Sequence, residues 1–230
     1  MQAVIVAGGL GTRMSGYGVQ KALLRIGEKT ILEHQIDALR KAKIKDIVMC
    51  TGYGSEAIEK YVSSKNIQIK FSQEREQMGT GGAVKLAENL IKEDFIFLCG
   101  DIFFKIDFKK MIDFHKKSGA RITVLVHKTD HPQDSDLIEL NEEKKIIALI
   151  RKPHNEIKSN ISKSSIYIVK KDVLESMPKG RFDFVDVAQK LVTEGNVYGY
   201  LTNETVIDIG TPERYERVKK TYGRSNERLN

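Results

Sequence analysis

The sequence predicts an α/β protein: a doubly wound, mainly parallel sheet with antiparallel additions. Three observations carry that expectation. Unbroken apolar runs such as residues 3–7 and Phe95–Cys99 have the character of strands buried on both faces. These runs alternate with segments of helical period, which is the rhythm of βαβ units. After His131 the pattern shifts to short strand-like runs without long helices between them, as antiparallel strands laid over one end of the sheet would give.

The elements follow in order. Residues 3–7 form the first strand. Thr30, followed by Ile31, Leu32 and Glu33, fits a capping box opening a helix whose apolar face is Ile31, Leu32, Ile36 and Leu39. Ile47–Thr51 is the second strand, and a helix spans Ser55–Ser64. A third strand is expected at 67–71, then a helix over 80–91, then the strand Phe95–Cys99. Asp107 opens another helix, and 122–127 is the next strand. Leu137–Leu140, Ile146–Ile150 and 166–169 are the shorter, later strands. A helix at 185–193, strands at 197–201 and 206–209, and a helix capped by Thr211 with Pro212 in its first turn complete the fold. Residues 1–222 read as one domain, and 223–230 as a polar tail without apolar period.

Composition narrows the classes. A chain of 230 residues, 40% apolar and 30% charged, has ample length for a core. No apolar run approaches the roughly 20 residues of a membrane span. The first residues read as a strand rather than a signal segment, so a cytoplasmic protein away from membranes is expected. Cys50 and Cys99 close apolar runs and are expected as reduced core thiols without metal-ligand spacing. The formal charge of +7 comes from lysines spread over many segments and interleaved with glutamates. That pattern argues for a solvated surface that attracts anions, and against nucleic-acid binding.

The chemistry is expected beyond the carboxyl ends of the strands. There Val4-Ile5-Val6-Ala7 empties into Gly8-Gly9-Leu10-Gly11-Thr12-Arg13, with Lys21 following. Glycines let backbone N–H groups approach a phosphate, and Arg13 and Lys21 add the charge a polyphosphate requires. A dinucleotide fingerprint fails at Met14, where its third glycine belongs, and a P-loop fails at Tyr17. Asp101 ends an apolar strand, which suits either a turn carboxylate or a Mg²⁺ ligand. Asp208 interrupts a β-branched run, so it either faces solvent or serves a site.

The string from Gly8 to Met14, with Lys21 downstream, resembles the N-terminal signature of the sugar-1-phosphate nucleotidylyltransferases. Met78-Gly79-Thr80-Gly81-Gly82-Ala83, Leu98-Cys99-Gly100-Asp101, Arg151-Lys152-Pro153 and Val206-Ile207-Asp208-Ile209-Gly210-Thr211-Pro212 match further pieces in the family's order. Residues 131–136 and the ending of the chain look most like the D-glycero-α-D-manno-heptose 1-phosphate guanylyltransferase branch. The resemblance implies a Rossmann-like fold and a Mg²⁺-dependent transfer from an NTP, GTP favoured, to a sugar 1-phosphate, the heptose favoured. It implies Arg13, Lys21 and Asp101 as catalytic residues and Asp101 with Asp208 as the metal pair. Nucleotide contacts are implied at Ala7, Gly8, Gly9, Gly11, Thr12, Arg13, Gln73, Glu74, Gly79, Thr80 and Gly100. Lys152 matches the lysine that meets the sugar phosphate, with Asp136 and Glu139 as candidates for sugar hydroxyls.

The nearest alternatives are mannose 1-phosphate with GTP, or a glucose-type sugar with another nucleotide. A nucleotide-sensing regulatory subunit on the same scaffold is the non-enzymatic one. The polar tail adds the expectation of a heptose-pathway phosphatase, fused or partnered. Two departures stand out. Gln20-Lys21-Ala22 keeps the lysine of the family's P-K-P without its prolines. Lys163-Ser164-Ser165 replaces N-A-G and removes an amide that handles the sugar. His34, His115, His127, His131 and His154 show no ligand spacing, and none is assigned a catalytic role.

Overall fold

The computed structural model describes residues 1–9 and 16–223. The chain runs through β1 (Gln2–Val6), the small hairpin β2 (Arg25–Ile26) and β3 (Lys29–Thr30), α1 (Ile31–Lys41), β4 (Ile47–Thr51) and α2 (Ser55–Ser64). Next come β5 (Lys70–Gln73), α3 (Gly79–Leu86), β6 (Phe95–Cys99), β7 (Ile102–Lys105), α4 (Phe108–Ser118) and β8 (Ile122–Lys128). The last third holds β9 (Leu137–Leu140), β10 (Ile146–Ile150), β11 (Ile161–Val169) and α5 (Val173–Ser176). It ends with α6 (Phe184–Thr193), β12 (Val197–Thr202), β13 (Thr205–Asp208) and α7 (Pro212–Tyr222). No helix of the described residues is long and apolar enough to cross a membrane.

Among the described residues, nine strands form one sheet with the path β10-β9-β11-β6-β1-β4-β5, and β8 pairs with β11 and β12. The β6-β1-β4-β5 block is parallel, as is β12 with β8. The antiparallel additions are β11 on β6 and β8, and β9 with β10. Early in β11, Ser162 pairs with Leu137 of β9; later, Ile166 pairs with Leu98 of β6. The β9–β10 ribbon therefore extends the sheet past the carboxyl end of β6, where Asp101 emerges. This architecture agrees with the expected mixed sheet.

Both faces of the sheet are covered, which is why β1, β4 and β6 are apolar without alternation. Val4, Val48 and Phe97 face α3 and α6, packing with Val84, Phe184 and Leu191. Ile5, Met49 and Leu98 face the other layer, with Leu32, Ile36, Ile58 and Met111. Phe97 and Phe184 stack with centroids 4.6 Å apart, and each buried ring contributes about 1.5–3 kcal/mol. The α1 capping box forms as expected: Glu33 N–H donates to Thr30 Oγ1 at 3.2 Å, and Thr30 N–H donates to Glu33 Oε2 at 2.8 Å.

The structure corrects several boundaries. The strand expected at 67–71 forms at Lys70–Gln73, because β4 sets its register through Val48 with Lys70 and Thr51 with Gln73. Ile67 and Ile69 still pack against the core from the preceding segment, which explains the apolar signal there. The helix expected over 80–91 stops at Leu86, and a 3-10 turn (Glu88–Leu90) follows. Ala87 and Ile91 are nonetheless buried, so apolar period continued past the helix. The segment at 206–209 pairs with β7 in a separate two-stranded sheet rather than joining the main one.

Candidate active site

Two backbone bonds set the floor of the site. Ala7 N–H donates to Cys50 O, and Gly100 N–H donates to Val6 O, each at 2.8 Å. They carry the ladders one residue beyond the strands and seat the start of the glycine-rich bend against Gly100. A Cβ on Gly100 would stand 3.0 Å from Ala7 Cβ, so this position favours glycine. An inner cleft of about 130 Å³ opens here, lined by Ala7, Gly9, Lys21, Thr80, Gly100 and Asp101 among others. Four stretches of sequence converge on it. Gly11, Thr12 and Arg13 lie outside the described residues.

Lys21 and Asp101 form an ion pair, Nζ to Oδ2, of 2.9 Å, with side chains 21% and 27% exposed. Asp208 enters from β13, whose register opposes it to Ile102 on β7. Ile209 N–H donates to Asp101 O at 2.9 Å, tying the turn that carries Asp101 to the end of β13, which carries Asp208. The Asp208 carboxyl is held above the ordinary carboxylate range, first by desolvation and then by the charge of Asp101. Gly210 N–H, donating to Asp208 Oδ1, Arg214 at 3.9 Å and Lys21 oppose that shift without cancelling it.

Two carboxylates whose mutual repulsion is only partly offset by Lys21 and Arg214 fit a divalent cation, and Mg²⁺ needs only one or two protein carboxylates beside phosphate and water. Among the described residues no cluster of three or more such ligands exists.

The loop after β5 lies beside the glycine-rich segment, although Gln73, Glu74 and Gly79 line neither cleft. Glu74 is half-buried, its Oε2 accepting from Met78 N–H at 3.2 Å, and burial raises its pKa. A Cβ on Gly8 would collide with Glu74 Oε1, so this carboxylate rests directly against the glycine bend. Gln73 is exposed, with Nε2 donating to Ser55 Oγ at 2.9 Å, which ties it to α2. Gly79 adopts φ +70°, and Thr80 Oγ1 donates to Asp183 Oδ1 at 3.2 Å while accepting from Phe184 N–H at 2.9 Å. Thr80 therefore both lines the inner cleft and joins α3 to the start of α6.

An outer cleft of about 400 Å³ lies over the ribbon side, lined by Ile102, Asp136, Lys152, Lys163, Asp208 and Arg214 among others. It adjoins the inner cleft at the Asp101–Ile102 step. Asp136 and Lys152 are brought together, with Lys152 N–H donating to Asp136 Oδ1 at 3.1 Å. Lys152 Nζ donates to Asp134 O at 2.7 Å. Glu139, on β9 opposite Ala148, does not line either cleft. His127 and His131 do line the outer one, and their ring nitrogens meet Lys128 O and Asp130.

Sequence reading missed two residues. Gln35 is 1% exposed on α1, and its Nε2 donates to both Cys99 O and Ile102 O at 2.9 Å, clamping the turn that carries Asp101. A polar residue at an apolar-face position of α1 was the available signal. Lys163, noted only as a departure, has a side chain 11% exposed and pairs with Asp136 Oδ2 at 3.3 Å. Cys50 and Cys99 are free, and burial pushes both thiols up to about 12, so neither is a poised nucleophile.

Comparison with known proteins follows the same outline. A mannose-1-phosphate guanyltransferase 2 from Candida glabrata is 30% identical over 227 residues, covering 94% of this chain and 63% of that protein. A bifunctional protein GlmU from Methanococcus maripaludis is 32% identical over 221 residues, covering 92% of this chain and 52% of that protein. The chain thus spans between about half and just under two thirds of these curated relatives. The crystal structure of HddC from Yersinia pseudotuberculosis superposes with a TM-score of 0.80 at 25% identity, covering 96% of this chain and 99% of that one. The family profile described as Nucleotidyl transferase matches residues 2–225, nearly the whole chain. With that match over nearly all of its length, this chain belongs to the nucleotidyl transferase family.

Proposed function

We propose that this chain transfers a nucleoside monophosphate from an NTP to a sugar 1-phosphate, releasing pyrophosphate. The observation that carries the reading is the meeting of two clefts across Asp101 and Asp208. The inner cleft, with its glycine bend and Lys21, suits a triphosphate; the outer one, with Lys152, suits a phosphorylated acceptor. An acceptor phosphate oxygen forms the new bond to the α-phosphorus as the α–β bridging P–O bond breaks. The acceptor is already an anion, so no strong base is required. The work is alignment of two anions and neutralisation of charge. Lys21 stabilises charge on the triphosphate, with Arg13 assigned beside it on family resemblance. Mg²⁺ held by Asp101 and Asp208 would neutralise phosphate oxygens in the transfer.

GTP is the favoured nucleotide. Glu74, half-buried against Gly8, is an acceptor suited to the N1–H and 2-amino donors of guanine. The favoured acceptor is D-glycero-α-D-manno-heptose 1-phosphate, on the resemblance of residues 131–136. Mannose 1-phosphate with GTP is the second reading, favoured by the guanyltransferase relative. Pyrophosphate release is to be measured across GTP, UTP, TTP, CTP and ATP, each with heptose, mannose and glucose 1-phosphates and Mg²⁺. Turnover with GTP and one of the manno-configured sugars is expected. Nucleotide binding without release on any pair overturns the reading in favour of a nucleotide-sensing subunit.

A further inference from the structure

Lys163 is a buried cation that the proposed transfer leaves without a task. It stands on β11 beside a bulge, with Asp136 Oδ2 3.3 Å from its ammonium and the Tyr167 hydroxyl within reach. Desolvation would lower its pKa, but Tyr167 and Asp136 outweigh that and hold it raised to about 12. The side chain nevertheless lines the outer cleft, as Asp136 does. An ammonium has three donors, and Asp136 and Tyr167 face two of them. Asp136 receives Lys152 N–H on Oδ1 and the ammonium on Oδ2, which leaves lone pairs on both oxygens. The neighbouring Ser164 hydroxyl is spent on Leu125 O at 2.9 Å. Among the described residues, a donor and an acceptor, both charged and largely shielded from bulk water, thus remain incomplete on one wall of the cleft.

We propose that Lys163 and Asp136 act as one couple reading adjacent hydroxyls of the sugar in the outer cleft. The ammonium donates to one sugar oxygen, and the carboxylate accepts from the neighbouring hydroxyl. The substrate class is a pyranose 1-phosphate that keeps this hydroxyl pair. A sugar with an extra anionic substituent there is disfavoured, because it would face Asp136 at close range. The proposal rests on the transfer reading above. A site built around charged hydrogen-bonding groups rejects an analogue lacking the hydroxyl far more strongly than an apolar wall does, since the buried charges are then unpaired.

The test is steady-state kinetics on the best hexose or heptose 1-phosphate and its monodeoxy analogues, at saturating GTP and Mg²⁺. The wild type is expected to lose about 100-fold or more in kcat/KM on at least one analogue. Lys163→Met and Asp136→Asn should each raise KM for the parent sugar roughly tenfold or more, leave KM for GTP within about twofold, and cut that discrimination to a few-fold. The double variant should lose little beyond either single change. Thermal melting of each variant separates these effects from misfolding. A folded Lys163→Met with unchanged sugar KM and discrimination overturns the couple. So does a wild type indifferent to every deoxy analogue, an arm that needs no variant. A wild type inert on all substrate pairs instead overturns the transfer reading itself.

Discussion

Lys21 reaches across the inner cleft to Asp101, Nζ to Oδ2 at 2.9 Å, and so joins the segment after the glycine bend to the end of β6. The pair is partly shielded, so salt screens it less than a surface contact. In that position Lys21 holds the Asp101 carboxylate and, on the proposed reading, has a positive charge ready beside an incoming phosphate.

Lys21→Ala should therefore lower kcat by about 10²–10³-fold, or about 3 kcal/mol of barrier, the usual cost of losing one preorganised donor. Pyrophosphate release under saturating substrates measures it. A loss under about threefold would remove Lys21 from the chemistry.

Asp208 gives a pH-dependent prediction. Its folded carboxyl titrates above the ordinary value, raised by desolvation and by Asp101. Between the unfolded and folded pKa values the native state binds more protons than the unfolded chain. Stability therefore falls as pH rises through that window, and the deficit persists at neutral pH. Metal-free Asp208→Asn should melt above the wild type at pH 7 and converge with it below about pH 4, while losing activity. Added Mg²⁺ should raise the wild-type Tm but not the variant's. Calorimetry at several pH values decides; a variant melting lower at pH 7 contradicts the charge repulsion.

Glu74 and Gly8 should act on base choice. Glu74→Gln replaces an acceptor with a mixed donor and acceptor, and should cost about 1–3 kcal/mol of the preference for GTP over UTP. Gly8→Ala forces the Glu74 carboxylate to move, the far end of a flexible side chain, so a folded protein with a raised GTP KM is expected. The ratio of kcat/KM values for the two nucleotides is the readout. An unchanged ratio in Glu74→Gln would take this residue out of base recognition.

Gln35 should matter to stability and rate together. Gln35→Leu strips the shared donor from two carbonyls flanking Asp101, at a cost of about 2 kcal/mol in urea unfolding. Asp101 would also lose its fixed position, with kcat falling roughly tenfold and GTP KM nearly constant. Wild-type kcat in a destabilised variant would confine Gln35 to the core.

The central sheet was legible because β1, β4 and β6 are apolar on both faces, a pattern few other settings permit. Cap chemistry at Thr30 and Thr211 marked helix starts correctly for the same local reason. The β2–β3 hairpin and β7 were not legible. They are short, and Ile26 of the hairpin and Phe103 of β7 are buried in a small cluster with Ile209 and Tyr215 that exists only after distant segments meet. The candidate site showed a similar division. Asp101 and Asp208 stood out as acids amid apolar residues, whereas Gln35 read as an ordinary helix residue until its two carbonyl partners were in place. Glu139 had the right chemistry and a neighbouring strand, but its position on β9 leaves it outside both clefts.

The β7–β13 ribbon has a consequence for biosynthesis. Asp208 arrives only when late-made chain doubles back onto a strand made far earlier, closing a long loop whose entropy must be overcome first. A nascent or truncated polypeptide ending before Thr205 carries Lys21 and Asp101 yet lacks Asp208, the second of the two acids proposed to hold the metal. On the proposed reading, chemical competence therefore waits until this later strand has emerged and paired.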